Sequence, residues 1–204
     1  MKQYIMEPGS AYPIGTTVKN SGVNFALFSA NAEKIELCIF DQQGQQELQR
    51  FVLPQCQHNI WHGFLNGAKA GLVYGYRVYG PYSPESGHRF NHHKLLLDPY
   101  AKALKGVFKW SDRHFAYNVT DPRQDLSFDV RDNADVMVKA IVFPVNGHPG
   151  VAIKPLRVGK IINHTIGNPR VIGQLFFSGF KGNDLTGGGI TVFEDQTGDF
   201  NILA

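Results

Sequence analysis

The chain has 204 residues and a net charge of +3, with 43% hydrophobic and 18% charged residues. This length holds one domain and a smaller element, but not a β-sandwich together with a complete (β/α)8 barrel, which alone needs about 250 residues. The small net charge and the lack of like-charge blocks argue against nucleic acid as a partner. No apolar run approaches the roughly 20 residues of a membrane span, so we expect a soluble globular protein without membrane contact.

The N-terminal residues and the cysteines indicate in which cellular compartment the protein occurs. A charge and a Pro-Gly pair interrupt residues 1–9 before any apolar region forms, unlike a secretory signal. The chain has two cysteines, Cys38 and Cys56, and without such a signal we expect both to be reduced thiols. A cytoplasmic location is therefore predicted.

Apolar residues alternate with a period of two through the first 80 residues, and helix signals are scarce. This alternation predicts strands at 23–27, 35–39, 47–53, 60–65 and 73–79. Turn residues, including an Asn-Gly pair, separate several of these segments. Short strands at such close spacing are typical of an all-β sandwich, so the predicted fold class is mainly β.

The segment 73–79 is the clearest of the predicted strands. Successive side chains of a strand point to opposite faces of its sheet. Tyr74, Tyr76 and Val78 therefore share one face, which we expect to face the core. Arg77 and Tyr79 lie on the opposite face.

The pattern changes after residue 105. Residues 106–142 are rich in aromatic residues and aspartate and show little periodicity, whereas 143–204 contains half of the 22 glycines and no Trp, Tyr or Cys. Short strands and turns are plausible in this last part, and a stable helix is not. We predict three parts: a sandwich domain at 8–105, an extended linker arm at 106–142 and a β-rich tail at 143–204, which resembles no family known to us.

Four segments occur in an order and spacing that resemble a known family. They are GVNFALFSANA at 22–32, YRVYGP at 76–81, GHRFN at 87–91 and KLLLDPYA at 94–101. Together they resemble the N-terminal domain of bacterial glycogen debranching enzymes and isoamylases, which is grouped with carbohydrate-binding module family 48 and accompanies the catalytic barrels of glycoside hydrolase family 13. The resemblance covers about residues 8–142. It implies an immunoglobulin-like β-sandwich followed by an extended arm.

The resemblance also implies association with α-glucans such as glycogen or maltodextrin. Glucan-binding modules stack aromatic rings on the faces of sugars and place polar donors beside them. The candidate sugar contacts are Arg77, Tyr79, Tyr82, Trp61 and Trp110. Arg77 and Tyr82 stand where the similar modules of AMP-activated kinase carry a lysine and a tryptophan. For each of these residues, packing in the core or against a partner domain remains the alternative, and it is favoured for Trp61.

The sequence provides no candidate catalytic residue, cofactor site or metal site. Glycoside hydrolysis needs two carboxylates about 5–9.5 Å apart, and the family's catalytic motifs, DVVYNH and GFRFD, do not occur here. His88, His92 and His93 are clustered but lack the partners of a zinc site. We therefore expect no activity from this chain alone, although the parent family hydrolyses the α-1,6 branches of glycogen.

Three hypotheses for the function remain open at this point. The chain is a truncated relative of glycogen debranching enzymes, a non-catalytic α-glucan-associated domain of an α-1,6-glucosidase without its barrel. Alternatively, it is a purely structural domain that packs on a glycoside hydrolase barrel, or self-associates, without binding sugar. The third hypothesis is an enzyme whose site lies in the tail, 143–204.

Overall fold

The structure of the chain, a computed structural model, describes residues 4–143 and three strands of the tail. The strands of the first part are β1 (Ile5–Glu7), β2 (Gly15–Val18), β3 (Gly22–Phe28), β4 (Lys34–Phe40), β5 (Glu47–Val52), β6 (Gln55–Gln57), β7 (Ile60–Asn66), β8 (Val73–Tyr79), β9 (Tyr82–Ser83), β10 (His88–Arg89), β11 (Leu104–Lys105) and β12 (Lys139–Ile141). Short 3-10 helices lie at Pro84–Ser86, Asp112–His114 and Gln124–Leu126. None of the helices among the described residues is long and apolar enough to cross a bilayer.

Two antiparallel sheets form the body of residues 4–143. The first sheet has the order β1-β7-β3-β2, with β6 also paired to β7, and the second has the order β11-β12-β8-β4-β5. The strands β9 and β10 form a separate two-stranded ribbon. The predicted mainly β, immunoglobulin-like sandwich is confirmed.

The core lies between the two sheets and follows the predicted alternation. Tyr74, Tyr76 and Val78 of β8 are buried, as expected, and they pack with the inward-facing residues of β3 and β4. The ring of Phe25 in β3 meets the ring of Tyr74 edge to face, with centroids 5.1 Å apart. This contact joins the two sheets, and each fully buried side chain of this size stabilises the fold by about 1.5–3 kcal/mol.

The segment 106–142 packs back on the sandwich. Its last strand, β12, pairs with β8 and β11 and so belongs to the second sheet, beyond the boundary predicted at residue 105. The Asn91 side-chain amide donates hydrogen bonds to the carbonyl oxygens of Ala116 and Asp129 at 2.9 and 2.7 Å. The side chain of Asn133 exchanges hydrogen bonds with the backbone of Leu95. We call 106–142 the arm, and these contacts make it one body with the sandwich.

Three strands of the tail form an antiparallel sheet in the order β13 (Gly173–Leu175), β14 (Ile190–Glu194) and β15 (Phe200–Leu203). They agree with the predicted β-rich character of 143–204. The other residues of 144–204, and with them the hypothesis of an enzymatic site in the tail, lie outside the described residues.

Candidate functional site

Tyr79, at the end of β8, is one of the predicted sugar contacts, and three neighbouring side chains surround it. Its ring stacks on the ring of His92 with centroids 4.3 Å apart and planes only 8° from parallel. The ammonium group of Lys34 lies 3.5 Å from the Tyr79 ring centroid. The Tyr79 hydroxyl donates a 3.1 Å hydrogen bond to Glu36. The phenol is therefore fixed between an imidazole and a charged pair.

A series of tilted and edge-to-face ring contacts continues from His92 to the ribbon strand β9. His92 and His93 have ring centroids 4.3 Å apart, His93 and Phe128 6.0 Å, and Phe128 meets Tyr82 edge to face at 4.9 Å. We call these five residues, Tyr79, His92, His93, Phe128 and Tyr82, the ring row. Phe128 is the most open of them, with 40% of its surface exposed.

Charged groups accompany the ring row at its Tyr79 end. The ammonium group of Lys34 donates a 2.9 Å hydrogen bond to Glu36, and chiefly for this reason its pKa is raised. Arg50 donates to the other oxygen of the same carboxylate at 3.1 Å. Burial, together with the neighbouring His93, lowers the pKa of His92 and keeps its imidazole neutral near pH 7. The row thus combines aromatic rings with an ion cluster beside them.

Tyr82 uses its hydroxyl to hold the arm. The hydroxyl lies 2.6 Å from the carbonyl oxygen of Ser127 and 2.8 Å from that of Asp125. Burial raises the pKa of this phenol to about 12, so it stays protonated and can donate to these acceptors. The ring of Tyr82 is half-buried. Its polar end is therefore engaged within the protein, and only the ring is offered to a ligand.

Arg77 lies beneath the ring row, and its side chain is only 3% exposed. Its guanidinium pairs with Asp132 of the arm at 2.8 Å and with Glu47 of β5 at 3.3 Å. It also donates a 2.7 Å hydrogen bond to the carbonyl oxygen of His93. The structure therefore places Arg77 as a support of the row, with little surface for a direct sugar contact.

The two tryptophans lie elsewhere. Trp61 packs against the core cluster, and its indole donates a 3.2 Å hydrogen bond to the carbonyl oxygen of Ser29. Trp110 is 67% exposed on the arm, where its ring meets that of Phe115 edge to face at 5.9 Å. Among the described residues, no ring contact joins Trp110 to the ring row.

Sequence reasoning selected two members of the row, Tyr79 and Tyr82, and missed His92, His93 and Phe128. The sequence presents the two histidines only as candidate metal ligands. In the part of the chain that the structure describes, no group of three or more His, Cys, Asp or Glu residues is placed to hold a metal ion. Phe128 comes from the arm, whose return to the sandwich has no local sequence signal.

Residues 13–101, which include the second sheet's central strands and part of the ring row, match the family model of carbohydrate-binding module 48 (isoamylase N-terminal domain). The resemblance deduced from the four sequence segments is thereby confirmed. We refer to residues 4–143 below as the module.

The chain is similar to curated glycogen debranching enzymes. It is 48% identical over 134 residues to those of Salmonella typhi and Salmonella heidelberg (strain SL476), which is 66% of this chain and 19% of each relative. The chain therefore matches about a fifth of the length of these relatives. This match therefore does not show that the chain has the activity of the whole relatives.

Solved structures similar to this chain include the catalytic module of the glycogen-degrading pneumococcal virulence factor SpuA, at 20% identity and a TM-score of 0.43 over 67% of this chain and 17% of that one. Another is the pullulanase SAP in complex with maltotetraose, at 19% identity and a TM-score of 0.40 over 65% of this chain and 14% of that one.

Proposed function

We propose that the module binds α-glucan chains, such as glycogen or maltodextrin, as a non-catalytic accessory domain. The observation that carries the proposal is the ring row, a contiguous series of aromatic rings with exposed Phe128 near one end and the Lys34–Glu36 pair at the other. Rings supply apolar area at low entropic cost for the CH faces of glucose units. The charged pair offers a donor and an acceptor for sugar hydroxyls.

The names of the matched relatives support the choice of α-glucan, since the similar curated proteins are named glycogen debranching enzymes. Hydrolysis of α-1,6 branches needs two carboxylates across the scissile bond, and the family motifs that carry them are absent from this sequence. We therefore propose that this chain contributes binding and no catalytic step, and that it acts in the cytoplasm.

Affinity electrophoresis in gels that contain glycogen tests the proposal. We expect retardation of the wild-type chain, and its loss on the change Phe128→Ala. Phe28 is a matched control, because it is a phenylalanine of similar exposure (41% against 40%) at the end of β3, away from the row. Phe28→Ala should be retarded like the wild type. Equal mobility of wild type in gels with and without glycogen would refute glucan binding.

The structural alternative has an observation of its own. The arm carries several strongly exposed apolar residues, namely Val107, Trp110, Leu126 and Val130, which are 74%, 67%, 59% and 62% exposed. Exposed apolar groups that lie close together mark contact sites for another domain or another copy. The alternative proposal is that the arm docks on a glycoside hydrolase barrel or self-associates.

Sedimentation velocity tests this alternative. If the arm mediates self-association, the wild-type chain should form dimers or larger species at high concentration, and Trp110→Ala should shift it toward the monomer. If the wild-type chain stays monomeric, self-association through the arm is excluded, and docking of the arm on a barrel is the alternative that is left. That case is tested by adding a debranching-enzyme barrel in trans and measuring whether it co-sediments.

A further inference from the structure

A second group of aromatic rings lies on the arm, outside the ring row. The ring of Trp110 meets that of Phe115 edge to face with centroids 5.9 Å apart, and the ring of Tyr117 follows at 5.3 Å from Phe115. We call these three residues the arm rings. Trp110 is largely exposed, while Phe115 and Tyr117 are half-buried. The arm therefore has aromatic surface of its own.

The local backbone turns the arm rings outward. Phe115 is extended, with φ −78° and ψ 143°, and successive side chains of an extended chain point to opposite sides. His114 and Ala116 are both buried and take the inner side. Phe115 and Tyr117 therefore take the outer side, at the surface of the arm.

Two segments of the arm run side by side next to these rings. The amide of Asp129 donates a 2.9 Å hydrogen bond to the carbonyl oxygen of Ala116. The amide of Asn118 donates a 3.1 Å hydrogen bond to the hydroxyl of Ser127. One position rises by two as the other falls by two, so the segments 116–118 and 127–129 are antiparallel.

This register joins the arm rings to the ring row. Tyr117 lies directly opposite Phe128, the most open ring of the row. The chain neighbours of Phe128, Ser127 and Asp129, are buried, so Phe128 points outward as Tyr117 does. Side chains directly opposite each other in an antiparallel pair have Cβ atoms about 4.5–5.5 Å apart. The two groups of rings therefore form one continuous surface.

A carboxylate–guanidinium pair lies at this junction. Arg89 of β10 donates a 2.6 Å hydrogen bond to Asp125. Burial raises the pKa of the Tyr82 and Tyr117 phenols, and both phenols are also close enough to respond to the charges of this pair. Among the described residues, none bonds to the second carboxylate oxygen of Asp125 or to the other side-chain N–H groups of Arg89, and these atoms are open to solvent. The pair therefore has donors and an acceptor left for a ligand.

A similar pair lies near the other end of the arm rings. Asp112, two positions after Trp110, accepts a 3.0 Å hydrogen bond from Arg131, and both side chains are exposed. Chiefly this hydrogen bond lowers the pKa of Asp112, so its carboxylate is charged near pH 7. The indole N–H of Trp110 has no hydrogen-bond partner in the part of the chain that the structure describes. Each end of the arm rings thus combines an outward ring with polar groups that are free to bind.

This combination selects a class of ligand. A sugar unit has an apolar face that stacks on an aromatic ring and hydroxyl groups at its edge that donate and accept hydrogen bonds. A purely apolar partner would bury the two charged pairs without replacing their hydrogen bonds to water, which is unfavourable. An anionic ligand would meet a carboxylate at both ends.

We propose that a bound α-glucan chain continues from Phe128 across Tyr117 and Phe115 to Trp110, so that the module prefers long glucan chains to short ones. The inference rests on the proposed glucan binding and extends its path along the arm. A short sugar contacts either the ring row or the arm rings, whereas a long chain contacts both, and its second contact is then intramolecular. The wild-type chain should therefore bind maltoheptaose at least about tenfold more tightly than maltotriose.

The chain contains two tryptophans, which makes a direct test possible. We would follow the indole N–H signals of the full-length ¹⁵N-labelled chain by proton–nitrogen correlation spectroscopy during titrations with maltotriose and maltoheptaose. The Trp110 signal should shift saturably with maltoheptaose. The Trp61 indole, which is bonded to the Ser29 carbonyl, is the internal reference and should not move. Trp110→Phe removes one of the two signals and so assigns both.

Variants test whether the path is continuous. Trp110→Ala should lower the affinity for maltoheptaose at least about tenfold and leave the affinity for maltotriose nearly unchanged, because the ring row is intact. Val107→Ala is the matched control, since Val107 is an even more exposed apolar residue of the arm, and it should bind both sugars like the wild type. In Phe128→Ala, the Trp110 signal should need at least about tenfold more maltoheptaose for the same shift.

The outcomes separate this inference from the proposed function. Calorimetric binding of maltoheptaose without a shift of the Trp110 signal would overturn the extended path and leave glucan binding by the ring row standing. No binding of either sugar would overturn both. An equal maltoheptaose requirement in the wild type and Phe128→Ala would mean that Trp110 belongs to a separate site, which contradicts a continuous path. A Trp110 signal that moves on dilution of the chain, but not with sugar, would assign this residue to a contact between copies and overturn the inference.

Discussion

The hydroxyl of Tyr74 donates a 2.6 Å hydrogen bond to the carboxylate of Asp98, and both groups are buried. The other oxygen of Asp98 accepts from the Tyr100 amide at 2.7 Å. Burial nevertheless dominates and raises the pKa of Asp98 to about 6, from an ordinary value of 3.8. A core strand and the loop after it are thus joined by a carboxyl group that changes charge in mild acid.

This pair predicts a pH dependence of stability. Because the folded-state pKa exceeds the unfolded one, the folded chain holds this proton between about pH 4 and pH 6 while the unfolded chain has lost it. The contribution of Asp98 to the free energy of unfolding is therefore present below about pH 4 and is lost as the pH rises to about 6. Asp98→Asn mimics the protonated group, so it should stabilise the protein near pH 7 by up to about 3 kcal/mol and have little effect near pH 4.

Urea unfolding of the wild type and Asp98→Asn at both pH values measures this difference, and other titrating groups cancel in the comparison. An asparagine variant that is less stable than the wild type by the same amount at both pH values would contradict it.

A second prediction concerns the buried ion pair that ties the arm to the sandwich. The Lys94 ammonium lies 3.1 Å from the Asp129 carboxylate, and the two side chains are only 3% and 5% exposed. Lys94→Met removes the hydrogen bonds of the ammonium group to Asp129 and to the Arg131 carbonyl, while Asp129 keeps its ion pair with Arg131. The variant should lower the free energy of unfolding by about 1.5–3 kcal/mol. The exposed pair Arg123–Asp121 is the control, since Arg123→Met should produce no measurable change. If Lys94→Met and Arg123→Met lowered the free energy of unfolding in urea by similar amounts, burial would not set the contribution of the Lys94–Asp129 pair.

A change at Tyr82 can separate two roles of this residue, which are the hydrogen bonds of its hydroxyl to the arm and the contact of its ring with sugar. Tyr82→Phe removes the hydroxyl that contacts the Ser127 and Asp125 carbonyls but keeps the ring. We expect a loss of about 1 kcal/mol in the free energy of unfolding and unchanged retardation in glycogen gels. Tyr12→Phe, at an exposed tyrosine in the segment 8–14, is the control and should change neither quantity. If Tyr82→Phe lost its retardation in glycogen gels but kept the stability of the wild type, the hydroxyl would serve sugar binding and would not stabilise the arm.

The segment 8–14, which the Asn24 side chain holds on the first sheet, gives a prediction for hydrogen exchange. The amide of Ser10 is protected by the Asn24 side chain, so Asn24→Ala should accelerate exchange at Ser10 by at least about tenfold while amides in the middle of β8 keep their rates. Asn66→Ala removes a side-chain contact to Glu7 on the same sheet and should leave Ser10 unchanged. Unaltered exchange at Ser10 in Asn24→Ala would mean that other contacts hold the segment 8–14 on the sheet.

The central strands could be predicted from the sequence because their signal is local. In β8 the alternation of Tyr74, Tyr76 and Val78 with Gly75 and Arg77 directly reflects one buried and one outer face. The strand β12 had no such signal. It has three residues, it pairs with a strand some sixty positions earlier, and its Lys139 is buried, with its ammonium group bonded to the carbonyls of Ala134 and Met137.

The candidate site was predicted only in part for the same reason. Tyr79 and Tyr82 lie three positions apart, at and just beyond the end of a predicted strand, so the local sequence is enough to select them. The ring row needs Phe128, which depends on the return of the arm, and the arm depends on charge pairs such as Arg77–Asp132 that join distant positions. Arg77 is a predicted sugar contact because it stands where the similar modules of AMP-activated kinase carry a lysine, and the sequence does not reveal that the arm covers it.

Calorimetric titration of the purified full-length chain with maltoheptaose measures the proposed glucan binding most directly. We predict saturable binding to the wild type, an affinity lowered roughly tenfold in Phe128→Ala, and unchanged affinity in the matched control Phe28→Ala. No binding by the wild type, or equal affinity in the wild type and Phe128→Ala, would contradict the assignment of the ring row as an α-glucan site.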